Sequence, residues 1–275
     1  MIEIFTKHIG NIWFVCAAAL IFIPLENLFP RHKEQKQLRK YLFMDLMYTL
    51  LGGLLTMFVA IVFILFAVTM LQGLVPSVVK SFVHSLPIWL QVIVLIICGD
   101  LYYYWAHRAF HMVPFLWRFH AIHHSVEDMD WVAAHRTHPI DTGLTNSGFV
   151  IVALLFNIHP AALAIHSLQF AWHSLLKHSN VNVSWGPLRW LYVTPTFHHW
   201  HHGNTREAWD KNFAAQFPIW DILFGTAIMK ESENPEKYGV DDPVPYNFIG
   251  QLAYPFQRSD DAAATTGQQP EQTAG

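Results

Sequence analysis

Four apolar runs, parted by short polar segments, leave this chain little choice of environment. They cover residues 11–29, 42–71, Leu86–Trp105 and 139–178. Only 13% of the 275 residues are charged while 53% are hydrophobic, and an ordinary soluble domain carries about 25% charge. Crossing a bilayer takes about 20 apolar residues in a helix. The first three runs meet that length, with Asp45 as the single charge in the second. Glu26 and Asn27 sit awkwardly for lipid near the end of the first. The fourth run breaks at Asn157-Ile-His159-Pro160, a turn signature, so it reads as a helical hairpin. Its first arm is short if counted from Leu144 and reaches 19 residues if it starts at His138. The expected fold is therefore an all-α membrane protein of about four transmembrane helices, the last pair a hairpin, with a helical cap on one side.

The segment between the first two runs holds Arg31, Lys33, Lys36, Arg39 and Lys40 against one acid, Glu34. Cytoplasmic loops carry such an excess, so this loop is assigned to the cytoplasm and the 73–86 segment to the opposite side. The third run then returns to the cytoplasm at His107, as does the chain after His178. Residues 1–10 carry Glu3 and Lys7, and no small-residue cleavage site follows the first run, so that run reads as a retained anchor. Cys16 and Cys98 both lie in apolar runs and offer neither a disulfide framework nor a thiolate metal site. A net charge of −3 gives no reason to expect a nucleic-acid partner. Residues 258–275, rich in Ala, Thr, Gln and Asp, read as a disordered tail that follows one membrane-embedded domain, 1–257. The tail has no visible retrieval signal. A chain with little beyond its core suits a bacterial inner membrane better than the endoplasmic reticulum.

Fifteen of the eighteen histidines fall between His107 and His202. Their densest blocks are His107-Arg-Ala-Phe-His111, His120-Ala-Ile-His123-His124 and His198-His199-Trp-His201-His202. Imidazole is the commonest protein metal ligand, and spacings of three and four put rings on one side of a helix. One such pair is ordinary surface decoration; three blocks point to metal. His178, where the hairpin should emerge from the membrane, joins His107, His111, His120, His123, His124, His198, His201 and His202 as a strong ligand candidate. His173 is a possible tenth, or else a buried histidine bonded to a neighbouring helix; His166 reads as the latter. Nine imidazoles exceed the four ligands of one tetrahedral zinc and suit two ions. Residue type alone leaves zinc, copper, iron and nickel open.

At about 100° per residue, Asp100, Tyr104, His107 and His111 share a face. Asp100 then lies where a carboxylate can accept a ligand's ring N–H and fix its tautomer; the alternative is a helix-end Asp bonded to another helix. Asp141, Asp210 and Asp221 are further carboxylates near the histidine-rich segments, Asp221 equally well as a helix cap. His199 is read as close to ligands or substrate, and Asp100, Tyr104, His138 and His199 are the expected supporting catalytic residues.

The blocks, together with Arg136-Thr-His138-Pro139, His178-Ser-Asn180, Asn212-Phe213 and Trp220-Asp221-Ile-Leu-Phe224-Gly225-Thr226, resemble the fatty acid hydroxylase/sterol desaturase superfamily over roughly residues 100–226. That resemblance implies an integral-membrane, non-haem di-iron oxygenase. Two iron ions on the nine histidines would use O2 to hydroxylate or desaturate an unactivated C–H bond of a sterol, fatty acyl chain or related lipid. Some relatives have a His or Gln where this chain has Ser174, and a glycine where it has Ala214. With no cysteine pattern for a ferredoxin centre or attached haem, electrons must come from a separate reductase, ferredoxin or cytochrome b5-like donor. The main rival is a zinc-dependent membrane lipid hydrolase using metal-bound hydroxide. A metal transporter would want ionisable residues deep in several spans, and a bis-histidine haem protein would use only two of these rings.

Overall fold

The computed structural model describes residues 2–230 and 232–257; the segment 258–275, expected to be a disordered tail, lies outside them. Among the described residues the chain is helical, with no β-strand. Helix α1 (Ile2–Leu28) is followed by the basic loop. Next come α2 (Leu42–Met47), a π-helical turn (Tyr48–Gly52) and α3 (Gly53–Leu71), which form one continuous rod. After α4 (Ser77–Ser85) come α5 (Ile88–Met112), α6 (Pro114–His124), α7 (Pro139–Leu155) and α8 (Pro160–His178). Three short helices complete the order: α9 (Pro195–His201), α10 (Ile219–Leu223) and α11 (Phe248–Ala253).

Prolines set the helix starts. Pro114, Pro139, Pro160 and Pro195 each occupy the first helical turn, where the missing N–H has no partner to lose and φ is already helical. Val113, extended ahead of Pro114, separates α5 from α6 as the sequence predicts. The predicted hairpin turn forms between α7 and α8, with Asn157 in the left-handed region at φ 55°. The 73–86 segment, read as a loop, instead carries α4.

Among the described residues two helices are long and apolar enough to cross a membrane. These are the α2–α3 rod Leu42–Leu71, of mean hydropathy 2.8, and α5, of mean hydropathy 1.5. The rod buries little of itself: Phe58 is 69% exposed and Leu65 64%, an apolar surface that water would penalise and lipid would not. The apolar stretches Ile12–Leu28 and Pro139–Leu155 are shorter than a full span.

Helix α7 packs against both α3 and α5, and small residues let the backbones close up. A Cβ at Gly143 would lie 2.8 Å from Val59 Cγ1. One at Gly148 would overlap the Tyr102 ring, and one at Gly99 the Phe149 ring. At the far end of α5, α6 and α10 pack on that helix while α9 packs on α8, so the histidine-bearing elements collect over one end of the helical hairpin.

Two acids within the apolar runs, Glu26 and Asp45, are internal ties, whereas Asn27 is exposed and bonds the Ile23 carbonyl of its own helix. Glu26, 2% exposed, accepts the backbone N–H of Trp131 and of Asn180, both at 3.0 Å. Asp45, fully buried, lies between Arg136 and Arg39, and Arg39 reaches on to Asp130 at 2.6 Å. Two of the five basic residues in the 31–40 loop are thus structural. Arg31 bonds Thr196 Oγ1 at 2.7 Å and Arg39 joins this ion-pair network, which leaves the three lysines exposed.

The packing of α5 on α7 is testable by overfilling. Gly148→Leu should lower the thermal midpoint of the detergent-solubilised protein, because overpacking a tight contact costs about 1–3 kcal/mol. Gly73→Ala, which meets nothing within 4 Å, should leave it unchanged. Equal melting of the two variants would show that the helices are not in close contact there.

Candidate metal centre

Nine histidines converge in two adjoining groups. One holds His107, His111, His120, His124 and His201; the other holds His123, His178, His198 and His202. Within each group the ligating nitrogens lie within 4.8 Å of one another. The groups touch where the His124 and His202 rings stack, centroids 4.5 Å apart.

The division cuts across the sequence blocks. Residues four apart stay together: His107 with His111, His120 with His124, His198 with His202. The residue at the third position crosses over, so His123 leaves its block for the second group and His201 leaves its block for the first. Helical geometry explains this. Position i+4 lies about 40° from position i, whereas i+3 lies about 60° away on the other side, so one turn of helix faces two metal positions.

Hydrogen bonds behind the rings decide what the rings can do. His107 Nδ1 meets the Phe213 carbonyl at 2.7 Å, His201 Nδ1 that of Lys211 at 2.8 Å, and His123 Nδ1 that of Arg136 at 3.0 Å. His178 Nδ1 meets the Ser174 carbonyl at 2.7 Å, and His120 Nδ1 the Asp141 carboxylate at 2.7 Å. Carbonyl oxygens only accept, so the Nδ1 atoms of His107, His201, His123 and His178 carry the proton and the neutral ring's Nε2 is a bare lone pair; for His120 the same holds while Asp141, raised to about 7 by burial, is ionised. Yet His107 Nε2 faces His120 Nε2 at 2.9 Å, and His178 Nε2 faces His123 Nε2 at 3.1 Å. Two lone pairs at that distance repel unless a cation lies between them or one ring takes a second proton.

Burial opposes the second proton. It pushes His120 and His123 down to about 3. It carries His124, His198, His201 and His202 well below the usual histidine range, helped by neighbouring imidazoles. The residues present therefore fit a metal pair: neutral, preoriented nitrogen donors whose mutual contacts call for positive charge. A cavity of about 450 Å³ opens onto the first group, lined by His111, His124, His201, Met112, Trp117 and Asp210.

The other sequence expectations fare differently. His173 lies outside both groups: its Nε2 donates to the Val193 carbonyl at 2.8 Å and its ring packs on Tyr192. Its Nε2 is taken by that bond, and neither histidine group includes it. Asp100 does not bond a ring either. It accepts the backbone N–H groups of Ala215, Gln216 and Phe217 at 3.0, 3.0 and 2.8 Å, which fixes the strand of chain whose Phe213 carbonyl holds His107. Asp221 secures the same segment through Phe213 N and Ala214 N, both at 2.8 Å. Tyr104 donates to Thr226 Oγ1 at 3.0 Å. His138 caps α7 by accepting from Ile140 N at 3.1 Å. His199, turned away from the metal groups, takes the Tyr238 hydroxyl at 3.0 Å and donates to the Ser179 carbonyl at 3.1 Å. Each of these four is tied to backbone or side chains around the site. Of the carboxylates, Asp141 does bond a ring, and Asp210 stands 3.6 Å from His111 Nδ1.

Two outcomes follow. His178→Ala should lower bound metal, whereas His173→Phe should leave it at the unaltered level; metal analysis of the purified proteins reads both. For His120 and His123 the folded pKa is depressed below the ordinary value of 6.5. As pH falls below 6.5 the unfolded chain takes up protons that the folded chain refuses until about 3. Stability of the metal-free protein should fall across that window, by about 1.4 kcal/mol per pH unit for each such histidine. A flat stability profile between pH 6.5 and 4 would contradict the burial of neutral rings.

Comparison with known proteins agrees with this geometry. The fatty acid hydroxylase profile matches residues 92–226, the stretch that contains all nine rings. The ornithine lipid hydroxylase OlsE of Rhizobium tropici is 31% identical over 252 residues, covering 90% of this chain and 76% of that protein. Human alkylglycerol monooxygenase is 37% identical over 147 residues, 53% of this chain and 32% of that protein. The methylsterol monooxygenase erg25A of Aspergillus fumigatus is 27% identical over 152 residues, 54% of this chain and 50% of that protein. Apart from OlsE, the chain thus spans half or less of these relatives. No solved structure matches it. Similar over these stretches to hydroxylases and monooxygenases, the chain is an oxidoreductase and belongs to the fatty acid hydroxylase family.

Proposed function

We propose that this protein is a multi-pass membrane enzyme that oxidises a lipid C–H bond with O2, using two iron ions held by the nine histidines. One observation carries the reading: nine imidazoles, eight buried and His111 half-buried, in adjoining groups of five and four, at the end of an apolar helix. A group of five exceeds the four ligands of tetrahedral zinc, which argues against the hydrolase alternative. Imidazole donors suit iron, and an iron pair supplies the reducing power to activate O2.

The protein's own groups have definite tasks in this scheme. The carbonyls of Phe213, Lys211, Arg136 and Ser174 and the Asp141 carboxylate keep the ring protons on Nδ1. Asp100 and Asp221 hold the chain that carries the Phe213 carbonyl in place. The cavity beside His111, His124 and His201 admits the reacting carbon and O2. Hydroxylation consumes one O2, two electrons and two protons and gives the alcohol and water; desaturation with the same inputs gives a double bond and two waters. The chain has two cysteines in all, too few for a ferredoxin-type cluster, so a separate reductase, ferredoxin or cytochrome b5-like protein supplies the electrons.

Residues 1–257 act as one membrane-embedded domain with α1, the α2–α3 rod, α5 and the α7–α8 hairpin in the bilayer. The three exposed lysines of the 31–40 loop favour the cytoplasm for the histidine side, and a bacterial inner membrane is the favoured location. Among lipids, an ornithine lipid is the first substrate to test, because the match to OlsE runs over most of this chain. Alkylglycerols and methylsterols follow.

Protein from iron-supplied cells should contain about two irons per chain, one for each histidine group. It should consume O2 in the presence of ornithine lipid and a reconstituted reductase and ferredoxin, yielding product 16 mass units heavier or 2 lighter. His124→Ala and His201→Ala should lose both iron and turnover, and His84→Ala neither. Lipid ester cleavage without oxygen, restored to the metal-free protein by zinc, would overturn the assignment.

A further inference from the structure

A second cavity, of about 350 Å³, lies among α1, the π-helical turn, α7 and α8. Among the described residues no Asp, Glu, Lys or Arg lines it. Its wall is nonetheless far from purely apolar: Thr56, Asn146, His166 and Ser167 alternate with Phe149 and Phe170. Polar side chains at this depth in a membrane protein face partners or a filled cavity. His166 is 1% exposed and its Nε2 meets the Gln216 side chain at 3.1 Å, while its Nδ1 is buried with no partner. His135, also in the wall, has a buried Nε2 with no partner. An orphaned buried nitrogen costs about 1–3 kcal/mol, so two on one cavity point to a ligand that hydrogen-bonds.

The shape narrows its class. From Leu163 to Ser174, both in the wall, α8 advances about 16 Å at 1.5 Å per residue, which suits a chain rather than a compact solute. At the π-helical turn, the backbone of Gly52 and Gly53 forms part of the wall and leaves width that side chains would fill. The absence of charged lining residues disfavours phosphate, carboxylate or ammonium groups. Tyr103 separates this cavity from the metal groups: its ring packs on Phe149 and Phe170 on one side and on His107, at 5.3 Å, on the other. A molecule lodged here does not touch the ligating rings.

We propose that this cavity is a second lipid site, separate from the place of reaction, which holds an uncharged chain bearing hydroxyl or amide groups. The proposal goes beyond the oxidation chemistry and stands or falls on binding alone. The test uses the full chain in lipid nanodiscs with radiolabelled N-palmitoylethanolamine, a neutral amide with one hydroxyl, and with hexadecane and palmitate as competitors. The unaltered protein should bind about one probe per chain, and both competitors should displace it at least tenfold less well. Ser167→Phe, which fills the cavity, should abolish binding. His166→Phe and Asn146→Leu, which keep the bulk and remove the polar atoms, should each weaken it about tenfold. All three variants should keep the metal content of the unaltered protein, which also certifies their folding. Undiminished binding by Ser167→Phe, equal displacement by hexadecane, or no binding by the unaltered protein would each overturn the proposal, whatever the outcome of the oxygen and iron measurements.

Discussion

The centre of this molecule rests on a repulsion. Bare imidazole lone pairs face one another at about 3 Å because the opposite nitrogen of each ring is committed to a carbonyl, which can only accept, or, for His120, to the Asp141 carboxylate, which only accepts while ionised. Burial closes the easy escape, protonation, since an imidazolium without water or a counter-charge is strongly disfavoured. A bound cation turns each unfavourable contact into a ligand bond. The rest of the structure can be read as what keeps nine rings from relaxing away from that arrangement.

Much of that restraint comes from buried carboxylates at some distance from the rings. Asp100 and Asp221 together take five backbone N–H groups from the 213–217 segment, and so steady the carbonyl that orients His107. Asp45 pairs with Arg136, whose own carbonyl orients His123. Glu26 ties α1 to Asn180, two residues beyond His178. Such charges are expensive to bury and destabilising to orphan. Here they form a frame in which the ring-orienting carbonyls belong to loops that would otherwise move.

The same economy of position places apolar and polar functions on single helices. Helix α5 begins as a segment long and apolar enough to cross a membrane and ends with His107 and His111, two members of the first histidine group. Helix α8 runs from the polar second cavity to His178. The histidine groups thus sit at the polar end of an apolar helix.

The sequence by itself determined the long apolar helices, the break at Asn157–Pro160, and the nine histidines that gather in two groups. Each rests on local physics: apolar runs of spanning length, proline's missing donor, and ring spacings of three and four. It also marked Asp45 and Glu26 as charges needing partners, without naming them. Only the tertiary structure decided which ring joins which group. In the blocks starting at His120 and His198, the i+3 and i+4 rings lie on opposite sides of the first, and distant helices select between them. The orienting carbonyls of Phe213, Lys211, Arg136 and Ser174 left no signal to find, because every residue carries a carbonyl and only folding determines where it points. Tyr104 is read from its helical face, and His138, His173 and His199 from the histidine-rich segments around them. In the fold Tyr104 bonds Thr226, His199 bonds Tyr238 and the Ser179 carbonyl, His138 caps α7 and His173 bonds the Val193 carbonyl, because only folding decides which donors and acceptors a side chain meets.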